Sequence, residues 1–159
     1  MTEIVLVVMV IAAAISDLRT RRIPNWLPVS GAALGFALNI WYGGLWGALS
    51  SLGGAALGLG IFMVLHIAGG MGAGDVKLFS AVGALIGPQA LVIVFVFTGL
   101  VGGVAALALS ASRGRLRETL AKTGALAMGI RTEATADSLR LPYGAVIAAG
   151  ALLSLWVRS

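Results

Sequence analysis

Apolar residues run through this 159-residue chain in blocks, at roughly 4–17, 27–45, 47–68, 77–88, 89–110 and 141–157, and the charges are confined to the short segments between them. A helix that crosses a bilayer needs about 20 apolar residues. The blocks therefore predict an all-α, polytopic integral membrane helical bundle with about six transmembrane helices. The first, fourth and sixth are short and must borrow flanking residues or sit beside a thinned region of membrane.

Composition agrees with that pattern: 59% of the residues are hydrophobic, 11% are charged and 23 are glycine. A water-soluble domain of this length needs a polar surface that such a chain cannot supply, so lipid is the solvent and partner for most of it. The absence of cysteine excludes disulfides, thiolate nucleophiles and cysteine-bound zinc. A net charge of +5 would suggest nucleic acid in a soluble protein. In a membrane protein, basic loops are what topology produces, and no nucleic-acid partner is expected. The first apolar block does not have the charge order of a secretory signal, because Glu3 precedes it and Arg19, Arg21 and Arg22 follow it. It is expected to remain as a first membrane helix.

Ten of the eleven basic residues fall in three places: the cluster Arg19, Arg21 and Arg22; Lys77; and the segment holding Arg113, Arg115, Arg117, Lys122, Arg131 and Arg140. All three can lie in the cytoplasm if two crossings separate each from the next. Outer turns then fall at Gly43-Gly44, flanked by the interfacial aromatics Trp41, Tyr42 and Trp46, and at Gly87-Pro88-Gln89. Both chain ends face outward. The expected domain is a single membrane-embedded unit over 1–159 with a cytoplasmic loop at about 111–140, which could carry an amphipathic surface helix. Glycines four apart, Gly31 with Gly35, Gly54 with Gly58 and Gly99 with Gly103, predict faces where helices approach closely.

Four of the six acidic residues are readily explained: Glu3 at the outer terminus, and Glu118, Glu133 and Asp137 in the long loop. Asp17 and Asp75 stand where apolar blocks meet cytoplasmic segments, which places both carboxylates at one depth. Ionisable groups there are costly and point to function. Each also has a structural reading: Asp17 could pair with Arg19, Arg21 or Arg22, and Asp75 could be the N-cap of a helix beginning at Val76.

Two close carboxylates do not readily ionise together, so the pair shares one proton. One can take a proton from a water attacking a peptide carbonyl, while the other, protonated, polarises the carbonyl oxygen. Gly72 and Gly74 before Asp75 leave room for an approaching backbone. Such chemistry needs no metal and no organic cofactor.

At these residues the chain resembles the type IV prepilin peptidases, the GxGD aspartic peptidases. "DLRTRRIPNWL" from Asp17 and "GAGDVKLFSAVGALIG" from Gly72 are similar to the family's two aspartate motifs, and "LPYGAVIAAG" from Leu141 resembles its final helix. The resemblance implies a catalytic pair at Asp17 and Asp75, with Gly72, Gly74, Lys77, Pro24 and Asn25 in motif or substrate-positioning roles. It also implies removal of a short basic leader from a prepilin or pseudopilin at the cytoplasmic face of the bacterial inner membrane. Larger family members carry an added cytoplasmic domain with cysteines and N-methyltransferase activity. This chain resembles the short form associated with tight-adherence, or Flp-type, pili, so peptidase activity without methylation is expected.

Other residues have plainer readings. His66, the one histidine, is expected to serve helix packing or the interface. Lys77 could tune Asp75, contact substrate or anchor the topology. Pro24 and Asn25 shape the turn into the second block, and Pro142-Tyr143-Gly144 opens the last one, where it could also line the site. A different class of function, a non-catalytic assembly subunit or a proton-coupled transporter, is also compatible with membrane carboxylates. A proton relay, however, would place acids at successive depths, and the second, third, fifth and sixth blocks contain none.

Overall fold

The computed structural model describes residues 1–68, 71–112 and 143–158, and every regular element among them is an α-helix. These are α1 over Thr2–Thr20, α2 over Trp26–Ile67, α3 over Ala73–Ser112 and α4 over Tyr143–Arg158. The all-α expectation is met. From residue 113 onward the expected cytoplasmic loop, with its acidic and basic residues, lies outside the described residues, as do Gly69, Gly70 and Pro142.

α2 and α3 are each long and apolar enough to cross a membrane, and Tyr143–Val157 forms a shorter apolar helix. A straight helix with the 42 residues of α2 would measure about 63 Å, about twice the hydrocarbon thickness of a bilayer. Each long helix is in fact broken once, at a glycine with non-helical torsions: Gly44 (φ 55°, ψ −136°) in α2 and Gly87 (φ 77°, ψ 173°) in α3. Both positive φ values suit glycine and strain other residues. The breaks coincide with the turns expected from Gly43-Gly44 and Gly87-Pro88.

At each break the arms fold back on one another. A Cβ added at Gly47 would collide with the carbonyl of Asn39, although eight residues along a straight helix are roughly 12 Å apart. A Cβ at Gly83 would lie 3.0 Å from Leu91 Cδ2.

The fold back in α3 would leave carbonyls without donors. Pro88 has no N–H, so the Ala84 carbonyl loses its helical partner. Two side chains from α2 replace it, Ser51 Oγ donating at 2.8 Å and Asn39 Nδ2 at 3.1 Å. Asn39 Nδ2 also lies 3.1 Å from the Leu85 carbonyl. Lipid offers no water to substitute for these donors, so polar residues inside the bundle are what permit the break.

The sorting of residues is that of a membrane protein. Trp41, Trp46, Leu100 and Val104 are exposed, while Asp17, Ser51, Asp75, Thr98 and Ser154 are buried. In water this arrangement would be inverted.

Close approach between α2 and α3 rests on backbone contact at glycines. A Cβ at Gly54 would strike the Gly83 carbonyl, one at Gly58 would lie 2.8 Å from the Phe79 oxygen, and one at Gly35 would lie 3.0 Å from the Ala84 oxygen. Gly31 is filled by the Met9 side chain of α1. The expectation for Gly99 and Gly103 is not met among the described residues: nothing stands within 4 Å of a Cβ at either, and the neighbouring Gly102 faces Val146 instead.

Phe62 of α2 stacks on Phe79 of α3 at a centroid distance of 3.9 Å, with Phe95 edge-on to both. α4 packs against α3 and α1, which closes the bundle.

Removing the donors to the broken turn should be costly. The double variant Asn39→Leu, Ser51→Ala is expected to lose about 1–3 kcal/mol of stability from the unsatisfied Ala84 carbonyl, measured as reduced resistance to unfolding in detergent. Gly60→Ala, which meets nothing within 4 Å, should leave stability unchanged or slightly raised.

Candidate active site

One end of the bundle gathers the end of α1, both ends of α2 and the beginnings of α3 and α4. Asp17 lies in the last full turn of α1. That helix stops at Arg21, which adopts left-handed torsions (φ 51°, ψ 32°) and donates its backbone N–H to the Asp17 carbonyl. The Asp17 side chain points inward and is 8% exposed. Its Oδ2 accepts the backbone N–H of Gly144, in the first turn of α4, at 2.8 Å. No described arginine pairs with it, so the reading of Asp17 as an ion-pair partner of Arg19, Arg21 or Arg22 is not realised. An N–H at a helix N-terminus is a favourable donor to a carboxylate, since the helix dipole adds to the hydrogen bond.

Asp75 occupies the first turn of α3 and is 9% exposed. The helix begins at Ala73, three residues before Val76, so Asp75 is its third residue and not its N-cap. Its Oδ2 reaches back to accept the Gly72 N–H at 3.1 Å. This is the acidic half of a capping box. The carboxylate thus serves helix initiation with one oxygen, and among the described residues the other has no hydrogen-bond donor.

The two aspartates interact electrostatically, and the charge of Asp75 is also felt at Tyr143 in the first turn of α4. That turn therefore bears on both acids, through Gly144 on Asp17 and through Tyr143 on Asp75. Two buried carboxylates within each other's field, each with one oxygen held by a backbone N–H, form an arrangement able to bind and polarise a water.

Of the remaining expected site residues, only Gly72 touches one of the acids. A Cβ at Gly72 would lie 3.2 Å from Asp75 Oδ2, a contact that would press on the carboxylate. One at Gly74 would lie 3.4 Å from Ile23 Cβ, so this glycine packs against the linker between α1 and α2. Lys77 is exposed and does not join the acids. It donates from Nζ to Asn25 Oδ1 at 2.9 Å, joining the start of α2 to the second turn of α3. Asn25 is the N-cap residue of α2 but makes no side-chain capping bond, its oxygen being given to Lys77. Pro24 precedes it, and its carbonyl accepts the Leu27 N–H at 3.1 Å.

Tyr143 and Gly144 were expected only as part of a helix opening that could line the site, with no partner named for either. Their signal was present in Pro142-Tyr143-Gly144, where a small residue opens an apolar helix. What it lacked was any indication of the acid 127 residues away.

Comparison with known proteins follows the same outline. Residues 4–107 match the type IV leader peptidase family. The chain is 34% identical over 133 residues to the prepilin leader peptidase/N-methyltransferase of Bacillus subtilis (strain 168), an alignment that covers 79% of this chain and 52% of that protein. The chain spans about half the length of this relative. No solved structure matches. The family match contains Asp17 and Asp75 but not α4.

The contact between α1 and α4 can be tested on a background free of cysteine. A Cβ at Gly144 would lie 3.0 Å from Asp17 Cβ, so a separation of the two by about half an ångström brings the pair into the range that a disulfide spans. Asp17→Cys with Gly144→Cys is expected to cross-link on mild oxidation. Cleavage at a protease site introduced between α3 and α4 should then leave the fragments joined until a reductant is added.

Proposed function

The chain belongs to the type IV leader peptidase family, and from that premise we propose that it is an aspartic endopeptidase in which Asp17 and Asp75 activate one water. The observation that supports this reading is that two buried aspartates from distant segments each have one oxygen held by a backbone N–H, Asp17 by Gly144 in the first turn of α4 and Asp75 by Gly72.

In the proposed reaction a water is held between the carboxylates. The ionised one removes a proton from the water as its oxygen attacks the scissile carbonyl. The protonated one hydrogen-bonds the carbonyl oxygen as it gains negative charge. Collapse of the tetrahedral intermediate breaks the C–N bond, and the leaving amine takes a proton from the dyad. The pair is left holding one proton, as at the start. Because the two acids titrate as a unit, the roles belong to the pair.

The substrate on this reading is a prepilin of the Flp type or a pseudopilin, cut between its basic leader and its apolar helix. Two features support it: resemblance in the aspartate motifs, and a site at the end of the bundle rather than midway along it. The cut lies at the cytoplasmic face of the inner membrane, the side to which basic residues orient a membrane protein.

The same reading gives six crossings. α1 and α4 each cross once, and α2 and α3, folded back at Gly44 and Gly87, each cross twice. Trp41, Tyr42 and Trp46, exposed around the Gly44 turn, form an aromatic belt at the outer face.

Co-expression with a candidate prepilin, with leader removal followed by gel shift, tests the chemistry. Asp17→Asn and Asp75→Asn should each abolish processing, and cleavage at the normal rate by either variant would exclude the shared water. Reporters fused near Tyr42 and Pro88 should report from outside, and one near Arg117 from the cytoplasm. The opposite pattern would overturn the orientation.

A further inference from the structure

His66 stands in the last turn of α2, and its Nδ1 lies 2.8 Å from the carbonyl oxygen of Met71. A carbonyl can only accept, so Nδ1 carries the hydrogen in this contact. The next atom along the chain is the nitrogen of Gly72, whose N–H is the donor to Asp75 Oδ2 at 3.1 Å. Both contacts therefore belong to a single peptide unit. Among the described residues no peptide is cis, and a trans peptide directs its C=O and N–H from opposite edges of one plane. The imidazole holds one edge and the carboxylate the other.

We propose that His66 is a positioning residue for Asp75, acting through the peptide between Met71 and Gly72. The inference rests on the reading of Asp75 as one of the catalytic pair. Its physical basis is the freedom of the backbone at this point. Glycine at position 72 places little restriction on the torsion that turns the peptide plane, so the plane needs an anchor if its N–H is to stay aimed at Asp75. His66 supplies that anchor from a helix end. Hydrogen bonds linked through a polarisable group also strengthen one another, so donation to the Met71 carbonyl makes the Gly72 N–H a better donor. With the imidazole absent, the plane can turn and Asp75 loses the contact that fixes Oδ2. Lys77, although two residues from Asp75 in sequence, is turned outward to Asn25 and cannot take this part.

The test compares leader-peptide cleavage by the full chain in detergent for His66→Phe, His66→Asn and Asp75→Asn. Phenylalanine keeps the ring and removes the donor, whereas the asparagine carboxamide can place a nitrogen near the position of Nδ1. His66→Phe is expected to lower kcat about tenfold or more, the scale of a misplaced catalytic group, with KM within about twofold, and His66→Asn to recover most of the loss. An unchanged kcat in His66→Phe, a loss confined to KM, or equal impairment of the two His66 variants would overturn the inference. Normal cleavage by Asp75→Asn would instead remove the reading of Asp75 on which it rests.

A measurement on the unaltered protein does not depend on the variants folding. Because His66 is the only histidine, nitrogen-15 labelling of histidine reports on this ring alone. The expected spectrum is that of a protonated Nδ1, and an unprotonated Nδ1 would overturn the inference.

Discussion

A carboxylate drawn in among apolar helices must find a hydrogen-bond donor, and Asp17 finds one at the first turn of the last described helix, where Gly144 donates its N–H at 2.8 Å. This bond joins the two ends of the described chain. It also needs a glycine: a Cβ at residue 144 would lie 3.0 Å from both Cβ and Oδ2 of the aspartate, so any larger residue would push the helix start and the acid apart. The choice of donor is apt because Asp17 is near the C-terminal end of its own helix, where the dipole opposes negative charge, while the N-terminus of α4 favours it. The two helix ends compensate one another at the carboxylate.

The same constraint, that lipid satisfies no backbone group, shapes the opposite end of the bundle. The break at Gly87 and Pro88 withdraws the donor to Ala84, and Ser51 and Asn39 restore it. Between the two ends, α2 and α3 meet backbone to backbone at Gly54 and Gly83. Without a hydrophobic driving force between helices, such close packing is what holds them in register. The register in turn fixes Asp75, because Phe79, one turn along α3, is locked against Phe62 and lies beside Gly58.

Much of this was legible in the sequence, for identifiable reasons. Charge separates apolar from aqueous segments, so the all-α fold could be read from where lysine, arginine and aspartate interrupt the apolar blocks. Glycine torsion marks turns, and both helix breaks fell at Gly43-Gly44 and Gly87-Pro88. Which face of each helix turns inward could not be read, because in lipid both faces are apolar and the periodicity that marks a core in water is lost. That is why the spacing of Gly99 and Gly103 carried no packing contact while that of Gly54 and Gly58 did. Bonds made across long stretches of chain were hidden too. Asn25 has the residue type of an N-cap, yet its oxygen serves Lys77, 52 residues away.

The two acids differ in how their surroundings hold them, and the difference follows from chain connectivity. Asp17 is fixed by a helix 127 residues further along the chain, so its geometry depends on the packing of α4 against α1. Asp75 is fixed by its own neighbours, through a bond from three residues earlier that forms as α3 begins. A local bond of this kind survives rearrangement more readily than one across 127 residues. Motion of α4 relative to α1 would therefore disturb Asp17 while leaving Asp75 in place.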